Sequence, residues 1–336
     1  MTDDRDDEVD ELVRALVSIN SANPATFPDG PGELAVARFC ARWWSERGVR
    51  AELLTAAGLA GRPGVLAQAG SGRSPVLLLV GHLDTYRWYP PSFLPGQVRG
   101  PGATDMKGGV AAILTLLARS VTEDSSTAGT VKALLVPDEE HASRGIRALL
   151  PQVAWDAAVV TEDTGLRLGA AHAGSVTAFL PSDEARRRLA ALSPGHRARV
   201  RVSRVDHDLV KLRVVVPPDG DATRLARALP GDDWTVRESF RAQTGGPLVE
   251  AVVGAGRSAG LAMSPVSIAG WTEAGVLAAT GRPCLVFGPG GGGAHSTDEW
   301  ASLADIRCAT RVLIAAAARY RVGPTDQDGQ GCPASR

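Results

Sequence analysis

Residues 75–85 read PVLLLVGHLDT, an unbroken apolar run followed at once by polar and ionisable side chains. A run of this kind suits a strand buried on both faces, as in a parallel sheet covered by helices. Two more segments, VKALLV at 131–136 and DAAVV at 156–160, have the same character, and helical patterns alternate with them at 33–47 and 108–120. The sequence therefore predicts an α/β fold with a mixed, mainly parallel sheet flanked by helices.

The composition excludes several classes of protein. The 336 residues include 36 Lys and Arg against 37 Asp and Glu, so the formal net charge is −1 and gives no general signal for binding nucleic acid or an anionic membrane. Four cysteines without a C-x-x-C spacing predict a reducing, cytoplasmic setting. The acidic start MTDDRDDEVDEL lacks the apolar core of a signal peptide, and we expect no membrane span because no apolar run is long enough.

The order of the predicted helices and strands changes near residue 174. Between 174 and 245 the patterns follow the order strand, helix, strand, strand, helix, strand, which predicts a small inserted α+β lid of ferredoxin-like type. We expect a catalytic domain formed by residues 1–173 and 246–321. The tail, residues 322–336, is rich in Gly, Pro, Asp and Gln and is predicted to be disordered.

Ionisable side chains are concentrated in a few segments that follow predicted strands. Because sites in open α/β sheets form where strands end and loops gather, these segments are candidates for one common site. They are GHLDT (81–85), GATDMKGG (102–109), PDEEHASRG (137–145), VVTEDTG (159–165) and GPGGGGAHSTDEW (288–300).

These segments carry the mixed nitrogen and oxygen donors that suit Zn²⁺, Co²⁺ or Mn²⁺. The ligand-capable residues are His82, Asp84, Asp105, Glu139, Glu140, Glu162 and His295. Each motif alone has an ordinary explanation, such as a hydrogen-bonded turn, a solvated loop or a helix cap. Jointly they indicate a dinuclear hydrolytic site. If Asp105, Glu140 and Glu162 bind two divalent cations, their three negative charges and that of one bridging hydroxide balance the four positive charges.

The same segments resemble the M20 family of dinuclear zinc amidohydrolases, which has a zinc-exopeptidase-type catalytic domain and includes acetylornithine deacetylase and succinyl-diaminopimelate desuccinylase. The resemblance covers residues 10–175 and 245–320. Its motifs are H-x-D at 82–84, D-M-K-G-G at 105–109, D-E-E at 138–140, E-P-T at 162–164 (here EDT), G-T-E-A at 270–274 (here GWTEA) and the G-P-G to D-E-Y segment at 288–300.

The resemblance implies two Zn²⁺ ions, with Co²⁺ or Mn²⁺ as alternatives, and a carboxylate of Asp105 that bridges them. His82 and Glu162 would complete one site, and Glu140 and His295 the other.

Two further residues have roles implied by the family. Glu139 would act as general base and then as acid for the leaving amine, and Asp84 would orient His82 by holding the imidazole N–H that faces away from the metal. A cis peptide bond after Asp105 is also implied.

The predicted lid departs from the family pattern. It is shorter, and it lacks the family's H-x-x-x-P-x-x-G-like, N-x-V-P and D-x-R signatures. His172, His196 and His207 are predicted to be structural or solvated. The oxyanion donor, the clamp for a substrate carboxylate and the choice between monomer and homodimer therefore stay open.

The lid is also locally basic. Its cations are predicted to form a solvated surface, with a docking surface for an acidic substrate or an acidic carrier protein as the alternative. They are Arg186, Arg187, Arg188, Arg197, Arg199, Arg201, Arg204, Lys211 and Arg213. Nucleic-acid binding is not expected, because no aromatic residues interleave the charges.

The function predicted from the resemblance is hydrolysis of the amide bond of an N-acylated amino acid, a small-molecule substrate. Two alternatives keep the chemistry and change the substrate, either to an amino acid linked to a carrier protein or to a dipeptide. A third alternative is a metal-binding homologue without catalytic activity.

Overall fold

The computed structural model describes residues 4–322, apart from 56, 123–128, 193–194, 196–198, 206, 230 and 232. In chain order the strands are β1 (Arg50–Leu54), β2 (Gly64–Gly70), β3 (Val76–His82), β4 (Ser92–Leu94), β5 (Gln97–Arg99), β6 (Thr130–Val136), β7 (Ala157–Val160), β8 (Leu168–His172), β9 (Gly174–Pro181), β10 (Val200–Arg204), β11 (Leu209–Val216), β12 (Thr235–Arg237), β13 (Phe240–Arg241), β14 (Pro265–Ser267), β15 (Cys284–Val286), β16 (Gly291–Gly292) and β17 (Trp300–Ser302).

The α-helices of the described residues flank these strands. They are α1 (Asp4–Val17), α2 (Leu34–Ser45), α3 (Gly108–Thr122), α4 (Arg144–Leu149), α5 (Ser182–Ala191), α6 (Ala222–Ala228), α7 (Pro247–Ser258), α8 (Ala274–Ala278) and α9 (Leu303–Val322). The last helix includes Val322, which was predicted to begin the tail, and the rest of that predicted tail lies outside the described residues.

Among the described residues, nine strands form the main sheet, in the order β1-β2-β6-β3-β7-β15-β8-β13 with β14 beside β8. The four central strands, β6, β3, β7 and β15, are parallel, whereas β1, β2 and β13 pair antiparallel at the flanks. The predicted α/β class with a mixed sheet flanked by helices is confirmed, and the parallel part is its centre.

Apolar burial explains why β3 lies in the middle. All seven residues of this strand are buried, including Leu77, Leu78 and Leu79. Helix α3 packs against β2, β3 and β6, and α9 packs against α3 and α7. Gly109 lets α3 approach the end of β7, because a Cβ there would lie 2.0 Å from the carbonyl oxygen of Thr161.

A second, four-stranded sheet is built by residues 174–237, which we call the insert. Its strand order is β10-β11-β9-β12, all pairs are antiparallel, and α5 and α6 follow β9 and β11. This is the ferredoxin-like order predicted from the sequence. The predicted boundaries between a catalytic domain and a lid, at 173 and 246, stay predictions.

A third, small sheet was not predicted. It has the order β16-β17-β5-β4 and consists of strands of two or three residues. Strands this short carry no readable alternation of apolar and polar residues. Its strand β17 directly follows Glu299, a residue that contacts the site described below.

Candidate metal and catalytic site

The carboxyl ends of parallel strands lie side by side at one edge of the main sheet. β3 ends at His82, β6 is followed by 138–140, β7 by Glu162 and β15 by the loop 288–295. Because these strands are parallel neighbours, the predicted segments meet at this edge. Asp105 reaches the same place from the turn that precedes α3.

Two groups of donor atoms form there. Nε2 of His82 lies 2.9 Å from Oδ1 of Asp105 and 3.5 Å from Oε1 of Glu162. Nε2 of His295 lies 3.1 Å from Oδ2 of Asp105 and 2.7 Å from Oε2 of Glu140. Within each group the donor atoms lie within 4.8 Å of one another. The structure thus brings together all five residues predicted as ligands, in two groups that share Asp105.

Asp84 contacts His82 through its backbone. Nδ1 of His82 is 2.9 Å from the backbone carbonyl oxygen of Asp84, whereas the carboxylate oxygen Oδ1 is 3.7 Å away. The carboxylate instead accepts hydrogen bonds from the backbone N–H groups of Glu139 and Glu140, at 3.0 and 3.1 Å. Asp84 thus contacts the imidazole nitrogen predicted for it, through its carbonyl oxygen, and its role in orienting His82 stays a prediction. Its carboxylate holds residues 138–140, which we call the DEE turn.

A buried ion network supports the DEE turn from behind, and sequence analysis missed it. Arg62 donates to Glu33 at 2.6 and 2.7 Å and to Asp138 at 3.1 Å. Glu33 also accepts the backbone N–H of Asp138 at 3.1 Å. Asn23 donates to Asp84 at 2.8 Å and to Asp138 at 3.2 Å. No local pattern signals these contacts, since they join distant parts of the chain.

Asp105 is held through its backbone as well. The peptide bond between Asp105 and Met106 is cis, as the resemblance implies. The carboxylate of Glu299 accepts the N–H groups of Thr104 and Asp105 at 3.1 and 3.2 Å. Burial and the nearby charge of Asp105 raise the pKa of Glu299 to about 7. Glu299 lies in a segment singled out from the sequence, but its partners are backbone groups, which a motif does not reveal.

The charges of the donor groups fit cations. Burial and the charge of Asp105 raise the pKa of Glu140 to about 7 and raise that of Glu162 well above its usual range. Hydrogen bonds to Asp105 and Glu140 raise the pKa of His295 to about 10. Buried carboxylates that repel one another are costly unless positive charge is added. Carboxylate and imidazole donors without thiolates match Zn²⁺, Co²⁺ or Mn²⁺.

Glu139 lines a cavity of about 400 Å³ that also touches Asp105, Glu140, Glu162 and His295. Its side chain is buried, and this burial raises its pKa well above the usual range. Glu139 belongs to neither donor group of the described residues. A carboxyl group that faces the same cavity as the ligands without being one of them is placed to exchange protons with a bound molecule.

The wall of the cavity that comes from the insert is basic. Arg213 of β11 and Arg237 of β12 line it, together with Trp271. Nη2 of Arg237 donates to the carbonyl oxygens of Glu139 and His141, at 3.3 and 2.9 Å. Sequence analysis named Arg213 among the basic residues and left Arg237 out, because only the pairing of strands brings the two together.

The other histidines named from the sequence do not join the donor groups of the described residues. His172 is buried beside the rings of Phe240 and Trp271, with centroids 5.4 and 6.1 Å away. Burial lowers the pKa of His172 to about 4. His207 is exposed. These positions agree with the structural and solvated roles predicted for them, and His196 lies outside the described residues.

An α/β fold with two adjoining groups of metal-ligand donors at the edge of its sheet is typical of metallohydrolases. A family model described as peptidase family M20/M25/M40 matches residues 78–319, and the chain belongs to this family of amide- and peptide-bond hydrolases. The resemblance found in the motifs is thereby confirmed.

Among curated proteins, a probable succinyl-diaminopimelate desuccinylase of Staphylococcus aureus is 33% identical over 129 residues, which is 34% of this chain and 32% of that protein. The match thus spans about a third of the relative's length. Succinyl-diaminopimelate desuccinylase of Halorhodospira halophila is 33% identical over 147 residues, 39% of this chain and 34% of that protein.

Among solved structures, aminopeptidase PepT from Bacillus cereus has a TM-score of 0.72 at 16% identity, covering 94% of this chain and 98% of that one. A dinuclear metal binding peptidase of the M20 family from Bacillus subtilis has a TM-score of 0.65 at 15% identity, covering 96% and 99%. These likenesses show that the fold extends over nearly the whole chain. No helix of the described residues is both long and apolar enough to cross a membrane.

Proposed function

We propose that this protein is a dinuclear metal hydrolase that cleaves the amide bond of an N-acylated amino acid. The observation that carries the proposal is a cavity that members of both donor groups line together with Glu139: Asp105, which the two groups share, Glu162 of one group, and Glu140 and His295 of the other. The relatives named succinyl-diaminopimelate desuccinylase support the removal of an acyl group from an amine.

The ligands of the proposed site are His82, Asp105 and Glu162 for one cation and Asp105, Glu140 and His295 for the other. When bound, divalent cations of this kind supply Lewis acidity and lower the pKa of water, to roughly 7 for a single catalytic zinc.

Glu139 takes a proton from the attacking water and returns it to the amine nitrogen as the amide bond breaks. The bond that forms joins the water oxygen to the acyl carbon, and the bond that breaks joins this carbon to the nitrogen, so the products are a carboxylic acid and a free amine. The hydrogen bonds from the DEE turn to Asp84 keep Glu139 and Glu140 in fixed positions.

A short peptide is the second candidate substrate. It is favoured by the basic wall of the cavity, where Arg213 and Arg237 face the donor groups and suit the carboxylate at the end of a peptide. Solved structures with this fold include an aminopeptidase and a dipeptidase. A metal-binding protein without activity is disfavoured, because it has no need of a carboxyl group such as Glu139 beside the ligands.

The proposal is tested by hydrolysis of a panel of N-acetyl and N-succinyl amino acids and dipeptides, with bound metal measured in the same samples. We expect Glu139→Gln to keep two metal ions per chain and to lose about 10²- to 10⁴-fold in kcat, since it removes the proton acceptor. The neighbouring substitution Glu140→Gln is the matched control, and it should lower the metal content. Wild type that binds two metals and hydrolyses no member of the panel would contradict the proposal.

A further inference from the structure

The sheet of the insert has one face covered by helices and one face without them. Val176, Leu212 and Val214 point to the covered face, where they belong to the small apolar clusters beneath α5 and α6. Because successive residues of a strand point to opposite faces, their neighbours Thr177 and Arg213 point to the other side. This second side, the open face, is the one that contributes Arg213 and Arg237 to the cavity.

Strand pairing gathers cations on the open face. In the antiparallel register of β10 and β11, Arg201 lies opposite Arg213. On the two sides of β9, Arg213 of β11 lies opposite Thr177, and Arg237 of β12 lies opposite Ser175. The cations of the open face are Arg199, Arg201, Lys211, Arg213 and Arg237, and we call them the basic track.

Within the described residues, no carboxylate forms an ion pair with any member of the basic track. The helix side of the same insert is different, because Arg187 and Arg188 pair with Glu184 at 2.6 and 2.9 Å, and Arg188 also pairs with Asp233. The arginines of α5 thus have acidic partners, whereas the members of the basic track have none among the described residues.

The charges of the basic track act on one another. Burial and the charge of Arg237 lower the pKa of Arg213, and burial with the charges of Arg213 and Arg237 lowers the pKa of Lys211. The Nε atom of Arg213 is buried and has no hydrogen-bond partner among the described residues. An anion bound here would remove the repulsion and supply the missing acceptor.

The basic track leads away from the metal site. Arg213 and Arg237 line the cavity of about 400 Å³ that members of both donor groups also line. A second cavity of about 240 Å³ is lined by Arg199, Arg201, Val215 and Pro217. From β12 to β10 the sheet crosses three strand spacings, about 14 Å in all, or the length of about four extended residues. A single amino acid does not reach across this distance.

We propose that the open face binds an acidic peptide segment of the substrate, with one carboxylate at Arg213 and Arg237 and another near Arg199 and Arg201. The inference rests on the proposed function with its second candidate substrate, a short peptide, and deepens it by naming an acidic chain as the preferred peptide. The scissile amide lies at the donor groups while the rest of the chain follows the basic track.

Charge complementarity favours an acidic peptide over other occupants. Single-stranded nucleic acid needs several aromatic platforms. On the described part of the open face the exposed ring is that of Phe179, and Nζ of Lys211 lies 5.6 Å from its centroid. A second copy that presented the same face would place cations against cations.

The test uses two acetylated peptides with the same scissile amide, one continued by three glutamates and the other by three glutamines. We expect wild type to hydrolyse the glutamate peptide with the higher kcat/KM, and the double variant Arg199→Gln/Arg201→Gln to lower this preference about three- to tenfold, mainly through KM. The matched control, Arg224→Gln/Arg227→Gln, removes two exposed arginines from α6 and should leave the preference unchanged.

Binding separates the inference from the proposed function. The affinity of metal-loaded Glu139→Gln protein for the glutamate peptide, labelled with a fluorophore, is measured with and without the Arg199 and Arg201 substitutions. Weaker binding in the double variant supports the basic track even if wild type hydrolyses nothing. Equal affinity for the glutamate and glutamine peptides, or tighter binding of a single-stranded oligonucleotide than of the glutamate peptide, would overturn it.

Discussion

The metal-site edge of the main sheet and the open face of the insert differ in whether their charged side chains have internal partners. At the metal-site edge, Asp84 accepts hydrogen bonds from two backbone groups of the DEE turn and Arg62 holds Glu33 and Asp138. On the open face, the buried Nε atom of Arg213 has no hydrogen-bond partner in the part of the chain that the structure describes. The two regions share one cavity.

This difference coincides with the proposed division between groups that perform chemistry and groups that recognise a ligand. A reacting group must be held in place before the substrate arrives, so its supports are built into the chain. A recognition group gains most from the ligand when no internal partner competes for it. The pattern of satisfied and unsatisfied charges is therefore a guide to which residues do which task.

The largest effect is expected for the residue shared by both donor groups. Asp105→Asn removes the charge that faces His82 and His295, and we expect metal affinity to fall by more than about a hundredfold, since even changes to groups behind the ligands cost about 10- to 100-fold. Metal content after dialysis measures this. Asp163→Asn, which alters a nearby carboxylate bonded to Thr104, is the control and should retain both ions.

The next largest effect concerns the ion network behind the DEE turn. Arg62→Met leaves Glu33 buried without its cation, and we expect the free energy of unfolding to fall by about 3–5 kcal/mol. Denaturant unfolding of the metal-free protein measures the loss. Arg62→Lys should restore part of it, and a loss below about 1 kcal/mol would show that this network does not support the turn.

A pH effect of intermediate size is expected from His172. Its pKa is about 4 in the fold because of burial, and an unfolded histidine titrates near 6.5, so the unfolded chain binds more protons below pH 6.5. Stability from this residue is therefore lost as the pH falls from 6.5 towards 4, by about 1–2 kcal/mol at pH 5. We expect the free energy of unfolding of His172→Gln to fall less between pH 7 and pH 5 than that of the wild type, because the variant lacks this titrating group. Parallel pH profiles for the two proteins would argue against it.

The smallest effect is expected on the helix side of the insert. Arg186 and Asp183 are 3.7 Å apart and are 80% and 81% exposed. Arg186→Gln should change the free energy of unfolding by less than about 0.5 kcal/mol, because exposed pairs contribute little. A larger change in denaturant unfolding would mean that exposed charges of the insert are structural, and it would weaken the contrast between its two sides.

The centre of the fold could be predicted from the sequence because its strands are continuously apolar. β3 and β6 are buried along nearly their whole length, and their patterns show it directly. The short strands β4 and β5 could not be predicted, since a run such as Ser92–Leu94 has three exposed residues without an alternating pattern and resembles a loop.

The candidate site divides in the same way. Its five proposed ligands lie in motifs at strand ends, where residue type and position suffice to suggest them. Two contacts were missed, because no motif signals them. The ring of Tyr86 stacks on that of His295, with the centroids 4.5 Å apart. Glu299 accepts the backbone N–H of Asp105. The carbonyl group of Asp84 was missed for a simpler reason: every residue has one.

The contact between Arg237 and the DEE turn has a mechanical consequence. Arg237 bonds the carbonyl oxygens of Glu139 and His141, and the neighbouring pair of Arg147 and Glu238 joins the same strand end to α4. Any movement of the insert away from the main sheet would break these bonds, while the N–H of Glu139 would stay bonded to Asp84. A ligand that binds Arg237 therefore contacts a side chain that also holds the backbone of Glu139.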